Sequence, residues 1–273
     1  MQTKTSKHLV AMTECSIMIA LSAVLSIVKL VDMPYGGSVT IASMLPIVIA
    51  VFRHGIAWGI GTALVSSTVQ LFLGLNTLSY FSTWQSIVVL ILLDYIVAFG
   101  AFALSGAFKR VEKRQNYAVL YGILLSSVLR YICHVISGAT IWAGLSIPTN
   151  AALVYSLSYN ATYMVPETII LVTVGIYLTS MVDFTTRIPT RIKKQSMDKV
   201  EVYSTIFSGL ILAIMVVVDV LLIAPFLQDP ESGEFVFTNL KNINAVPIIV
   251  VSVIGILSSV ALFILSRTRK RNQ

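Results

Sequence analysis

Apolar runs about as long as a membrane is thick recur along this chain, and SIVVLILLDYIVAFGAFAL at 86–104 is the clearest of them. A hydrocarbon core roughly 30 Å thick needs roughly 20 residues of α-helix, and it offers no water to backbone N–H and C=O groups. A chain built from such runs is therefore expected to be all-α, a polytopic membrane helical bundle. Composition agrees, since 56% hydrophobic and 11% charged residues leave too little polar surface for a soluble globule. The net charge of +7 does not point to nucleic acid, because Lys and Arg sit in short clusters between apolar runs, as in loops on the cytoplasmic side of a membrane. Cys15 and Cys133 lack the spacing of a metal site and read as buried free thiols.

Eight spans are expected, near 10–31, 40–53, 55–75, 84–108, 117–141, 153–182, 203–226 and 245–266. The first ends in Asp32, Met33 and Pro34 without a small-residue cleavage site, so it reads as a retained helix rather than a secretory signal. The second is short and contains Pro46, which allows a tilted, kinked or re-entrant segment, but charge parity favours a crossing. With eight crossings and cytoplasmic N- and C-termini, only Lys29, Arg130 and Lys241 of the 19 basic residues fall away from the cytoplasmic side. The polar stretch 187–201 divides the chain into a six-helix membrane domain, 1–186, a basic cytoplasmic linker, 187–201, and a two-helix hairpin with a basic tail, 202–273.

Ionisable groups within spans are costly and mark functional sites by default. Counted from the outer helix ends, Asp94, Arg130, His134 and Asn160 lie roughly 10–15 Å deep and share one layer. Ser127, Arg130, His134 and Ser137 with Gly138 form one stripe on the fifth span; Ser156, Asn160, Tyr163 and Glu167 form another on the sixth, flanked by Tyr155 and Tyr159. Trp84 and Tyr95, eleven residues apart, read as one side of the fourth span with Asp94 at its edge. These faces must point inward, toward a pocket open to the outside. Arg130 is expected to pair with a buried acid, Asp94 or Glu167. Trp142, Trp84 and Tyr80 also fit an interfacial aromatic belt, and Asp219 a snorkelling or pore-edge acid. In MPYGGSVT, Gly36 and Gly37 suit a tight turn with positive φ that displays Tyr35.

MPYGGSVTIASMLPI, LLDYIVAFGAF, LRYICHVISGATIW and YSLSYNATYMVPE, in that order, resemble the thiamine-specific substrate-binding subunits (S components) of energy-coupling factor transporters. The resemblance covers residues 10 to about 185 and implies a six-helix core, to which this chain adds two C-terminal transmembrane helices. It implies thiamine bound at the outer side. Asp94 looks like the carboxylate that meets the aminopyrimidine, with Tyr95 beside it. Tyr155 and Asn160 resemble further polar contacts to that ring. Trp142 resembles the stacking aromatic, His134 and Gly138 line the pocket, and Tyr35 is the nearest residue to the aromatic that meets the thiazolium. The chemistry is apt, since a cation favours aromatic faces and the ring favours a carboxylate and an amide.

No GxxxxGK[ST] phosphate loop is present, so the resemblance implies partners: a coupling membrane subunit and two ABC-type ATPases. Ser16, Ala20 and Ala23 form a small-residue stripe on the first helix, similar to the Ala-based docking motif of S components. No cofactor or metal is expected. Two other readings stand beside this one: an S component for the pyrimidine or thiazole precursor, and a membrane enzyme using Asp94 and His134 as acid and base, although no nucleophile–base constellation accompanies them.

Overall fold

The computed structural model describes residues 4–143, 152–192, 241–268 and part of 204–226. Two compact units divide the chain, Met1–Thr190 and Arg191–Gln273. Six helices among the described residues are long and apolar enough to cross a membrane, and the architecture is a polytopic helical bundle.

The first run behaves differently at its end from the expected span of 10–31. Helix α1 (Lys4–Ile27) stops early, and Lys29–Asp32 becomes strand β1, antiparallel to β2 (Ser38–Thr40). β-Branched residues favour this outcome: Val31 pairs with Val39, and both are buried. The connecting turn is closed by Met33 N–H donating to Gly37 O at 2.7 Å. Its positive φ angles fall at Tyr35 (63°) and Gly36 (100°), not at both glycines. Gly37 is required for space instead, since a Cβ there would lie 2.8 Å from the Tyr163 ring and 2.9 Å from the Tyr159 hydroxyl.

Helix α2 (Leu45–His54) corrects the expected second span. Its ten residues rise only about 15 Å. Pro46 sits in the first turn, where its missing N–H is not needed, so it starts the helix rather than kinking it. Leu45 through Phe52 are all buried, so α2 is wrapped by protein. Strand β2 extends the segment: Thr40 donates to Glu167 in the middle of the bundle at 2.8 Å, while Arg53 lies at the far end. A strand covers more length per residue than a helix, so β2 and α2 together reach farther along the bundle than α2 alone.

Helix α3 (Ile56–Leu73) leads through a 3-10 turn, Leu75–Tyr80, to α4 (Trp84–Arg110). Thr83 caps α4, its hydroxyl accepting from Ser86 N–H and donating to the Ser86 hydroxyl. Within α4 the winding changes: Trp84–Leu90 is α-helical, Ile91–Val97 is a π segment and Ala101–Arg110 is 3-10. Then come α5 (Gln115–Thr140) and α6 (Ala152–Met181). Gly122 on α5 lies against the Ser105 carbonyl of α4 so closely that any Cβ would overlap it.

One end of the unit is tied by Arg53. Its Nε and Nη2 donate to the two oxygens of Glu14 on α1 at 2.7 and 2.8 Å, and its Nη1 and Nη2 also reach the carbonyls of Phe184, Thr186 and Arg187. Nearby, the Thr185 hydroxyl and backbone N–H donate to Asp183 at 2.6 and 2.8 Å and hold its carboxyl below the usual aspartate range.

In the second unit, α7 (Ala245–Thr268) faces helical residues between 204 and 223. Ser208 and Ser259 exchange hydroxyl contacts at 2.8 Å. Asp219, expected as a snorkelling or pore-edge acid, accepts from Ser252 at 2.7 Å. The seventh span, 203–226, is described only in part; the connection 144–151, the linker 193–201 and the acidic loop 228–235 lie outside the described residues.

Candidate ligand-binding site

The π segment places Asp94. An α-helical period would put Trp84 and Tyr95 on one side with Asp94 at the edge, but a π turn holds extra residue per turn and rotates everything beyond it. Trp84 is 70% exposed and takes no part in the site, while Asp94 turns into the bundle and is 9% exposed. Its Oδ1 meets His134 Nδ1 at 3.0 Å; its Oδ2 accepts from the Ser137 hydroxyl at 2.7 Å and from Trp142 Nε1 at 3.3 Å. Tyr95, next in sequence, points elsewhere: its hydroxyl donates to Gly74 O at 3.2 Å and lies 3.1 Å from the Thr77 hydroxyl.

Arg130 chooses between the two acids. Its Nη1 donates to Glu167 Oε2 at 2.8 Å, and Glu167 Oε1 accepts from Thr40 at 2.8 Å. The guanidinium lies over Phe99, 4.5 Å from the ring centroid. Its Nε reaches His134 Nε2 at 3.4 Å. An arginine nitrogen only donates, so Nε2 is the accepting side of this contact, and Nδ1 faces Asp94. His134 thus stands between Arg130 and Asp94.

Above this layer is an aromatic box. Trp142 is 7% exposed, which removes it from the interfacial belt. Phe81 meets it edge-on at 4.7 Å between centroids, Tyr80 at 5.9 Å and Tyr35 at 6.0 Å, and Tyr35 meets Tyr80 at 5.2 Å. Tyr155 and Tyr95 pack against the same cluster. Asn160 works between helices: Nδ2 donates to Ser156 O at 2.9 Å and to His134 O at 3.3 Å, and Oδ1 accepts from Tyr163 at 2.7 Å. Gly138 is buried beside Ser137. Tyr35, Asp94, Tyr95, His134, Trp142, Tyr155 and Asn160 are therefore gathered at one end of the first unit. Ser16 and Ala20 are exposed on α1 and Ala23 is half-buried, away from that cluster.

Phe81 and Tyr80 escape a reading based on helical phase because they lie in the turn between α3 and α4. The available signal is two adjacent aromatics just before the Thr83 cap. Ser137 was visible only as one member of a polar stripe.

Comparison with known proteins shows the family. The family model described as thiamine transporter protein (Thia_YuaJ) matches residues 12–186. Thiamine transporter ThiT of Bacillus subtilis (strain 168) is 38% identical over 176 residues, which span 60% of this chain and 88% of that protein. Among solved structures, ThiT from Listeria monocytogenes shares the fold, with a TM-score of 0.52 over 63% of this chain and 94% of that one at 20% identity. Residues 187–273 lie outside the family match. With an acid and an aromatic box gathered at one end of a helical bundle, and the match spanning that bundle, this multi-pass membrane protein belongs to the thiamine transporter protein family.

Proposed function

We propose that this chain is a high-affinity thiamine-binding S component that mediates thiamine uptake within an ATP-driven energy-coupling factor transporter. The supporting observation is the juxtaposition of Asp94 with the box of Tyr35, Tyr80, Phe81 and Trp142. Thiamine joins a permanent cation to an aminopyrimidine. In this reading the thiazolium lies among the aromatic faces, and Asp94 receives the amino group of the pyrimidine. His134 and Gly138 line the pocket, and Tyr155 and Asn160 complete it. Tyr95 braces the wall through the turn at Gly74.

The role is transport rather than catalysis, and the energy comes from outside the chain. In this proposal a coupling membrane subunit docks on Ser16, Ala20 and Ala23, and two ABC-type ATPases drive it. The aromatic end faces outward, and both termini are cytoplasmic. Residues 1–186 form the binding domain, 187–201 a cytoplasmic linker and 202–273 an added membrane hairpin.

Tryptophan fluorescence of the purified protein, titrated with thiamine and separately with its pyrimidine and thiazole halves, tests the reading. Saturable quenching by thiamine, stronger than by either half and lost in Trp142→Phe, is expected. No saturable response to thiamine would remove it; tighter binding of one half would reassign the ligand to a precursor.

A further inference from the structure

Glu167 and Arg130 contact each other on the far side of His134 from Asp94, and the hydrogen bonds show which acid the guanidinium engages. Glu167 receives donors at both oxygens, from Arg130 and Thr40. Asp94 receives His134, Ser137 and Trp142. A guanidinium only donates, so the contact between Arg130 and Glu167 is an ion pair. His134 faces Asp94 with Nδ1 and meets Arg130 Nε with Nε2. The guanidinium is therefore spent on Glu167, while Asp94 is the acid bonded to Trp142 of the aromatic box.

We propose that Glu167 and Arg130 form a specificity-determining pair: by holding the Arg130 guanidinium, Glu167 leaves Asp94 as the site's one uncompensated charge, which matches the site to a monocationic ligand. Deepening the thiamine reading, this inference rests on it. Neither residue need touch the ligand. Glu167 acts through Arg130 as a positioning residue. Without the Glu167 charge, the Arg130 guanidinium has one carboxylate left within reach of its neighbours, Asp94 on the other side of His134, and it neutralises the ligand's counter-charge. The burial of the pair makes the effect large, because side-chain exposure is only 11% for Arg130 and 7% for Glu167 and a low-dielectric setting screens little.

The experiment measures thiamine binding to the purified full chain for wild type, Glu167→Gln, Arg130→Met and the double variant. The neutral pyrimidine half serves as the uncharged probe. The expected pattern is opposite effects from the two partners: Glu167→Gln weakens thiamine binding by roughly tenfold or more, while Arg130→Met binds as tightly as wild type or tighter. The double variant, which restores the charge balance, returns close to wild-type affinity, and the neutral probe stays nearly constant throughout. If Glu167→Gln does not fold, the double variant still decides, since it removes the unpaired charge. Loss of thiamine binding in Arg130→Met and in the double variant, like that of a structural pair, overturns the proposal. Failure of wild type to bind thiamine overturns the thiamine reading instead, so the two failures are told apart.

Discussion

Trp142 and Asp94 are bonded to each other: the indole Nε1–H donates to Oδ2 across 3.3 Å. The residue that offers an aromatic face and the residue that offers charge are thereby held in one orientation, although Asp94 lies within α4 and Trp142 just beyond the end of α5.

That bond separates two contributions. Trp142→Phe keeps a ring in the box but removes the donor, and its expected cost in thiamine affinity is on the order of tenfold, the low end for one neutral-to-charged hydrogen bond. Asp94→Asn keeps the shape and removes the charge, and a larger loss, about a hundredfold, is expected from a buried charged contact. Isothermal titration of both variants ranks them; the reverse order would mean that stacking, not charge, dominates.

Packing at Gly122 sets the contact between α4 and α5. Gly122→Val forces the helices apart against the Ser105 carbonyl, and overpacking of this kind costs about 1–3 kcal/mol or more. A clear drop in the thermal unfolding midpoint in detergent is expected. The equivalent change at Gly61, where a side chain meets open space, should leave that midpoint within error.

At the opposite end from the aromatic box, Arg53 is nearly buried, with side-chain exposure of 5%, and holds Glu14 by two hydrogen bonds. Glu14→Gln leaves the guanidinium with weaker partners, and stability should fall by about 1–3 kcal/mol. Ligand affinity should stay unchanged. A loss of affinity with unchanged stability would instead tie this end of the bundle to the binding site.

Docking on α1 is tested by Ala20→Trp. Ala20 is exposed, so a large side chain is tolerated by the fold and obstructs only a partner that approaches closely. Uptake by cells should be abolished while binding by the purified protein persists. Normal uptake would remove α1 as the docking face.

Long apolar runs were readable because a membrane helix needs a length of sequence and little else. α3, α5 and α6 begin and end close to the expected limits. Polar spacing also succeeded along regular helix, and His134, Ser137 and Asn160 meet as their phases require. It failed where the winding departs from the α period. Trp84 was grouped with Tyr95 because the π segment from Ile91 to Val97 leaves no mark in composition. Leu30 and Val31 read as the end of a helix because a lipid-length apolar run and a half-buried β-hairpin use the same residues. The partner of Arg130 stayed open because both acids are apolar-run residues, and only three-dimensional distance separates Asp94 from Glu167.

The π segment of α4 also bears on how such a site could diversify. Thr83 caps one end of the span, and the Lys109 Nζ, donating to Arg53 O at 2.9 Å, fastens the other. Between these fixed points the wide turn stores one residue more than an ordinary helix would use. Deleting a single residue between 91 and 97 would let the turn relax to the α period and swing the acid around the axis while both anchors stay where they are. For the proposed thiamine site, this makes chain length, beside side-chain identity, a second means of adjusting selectivity.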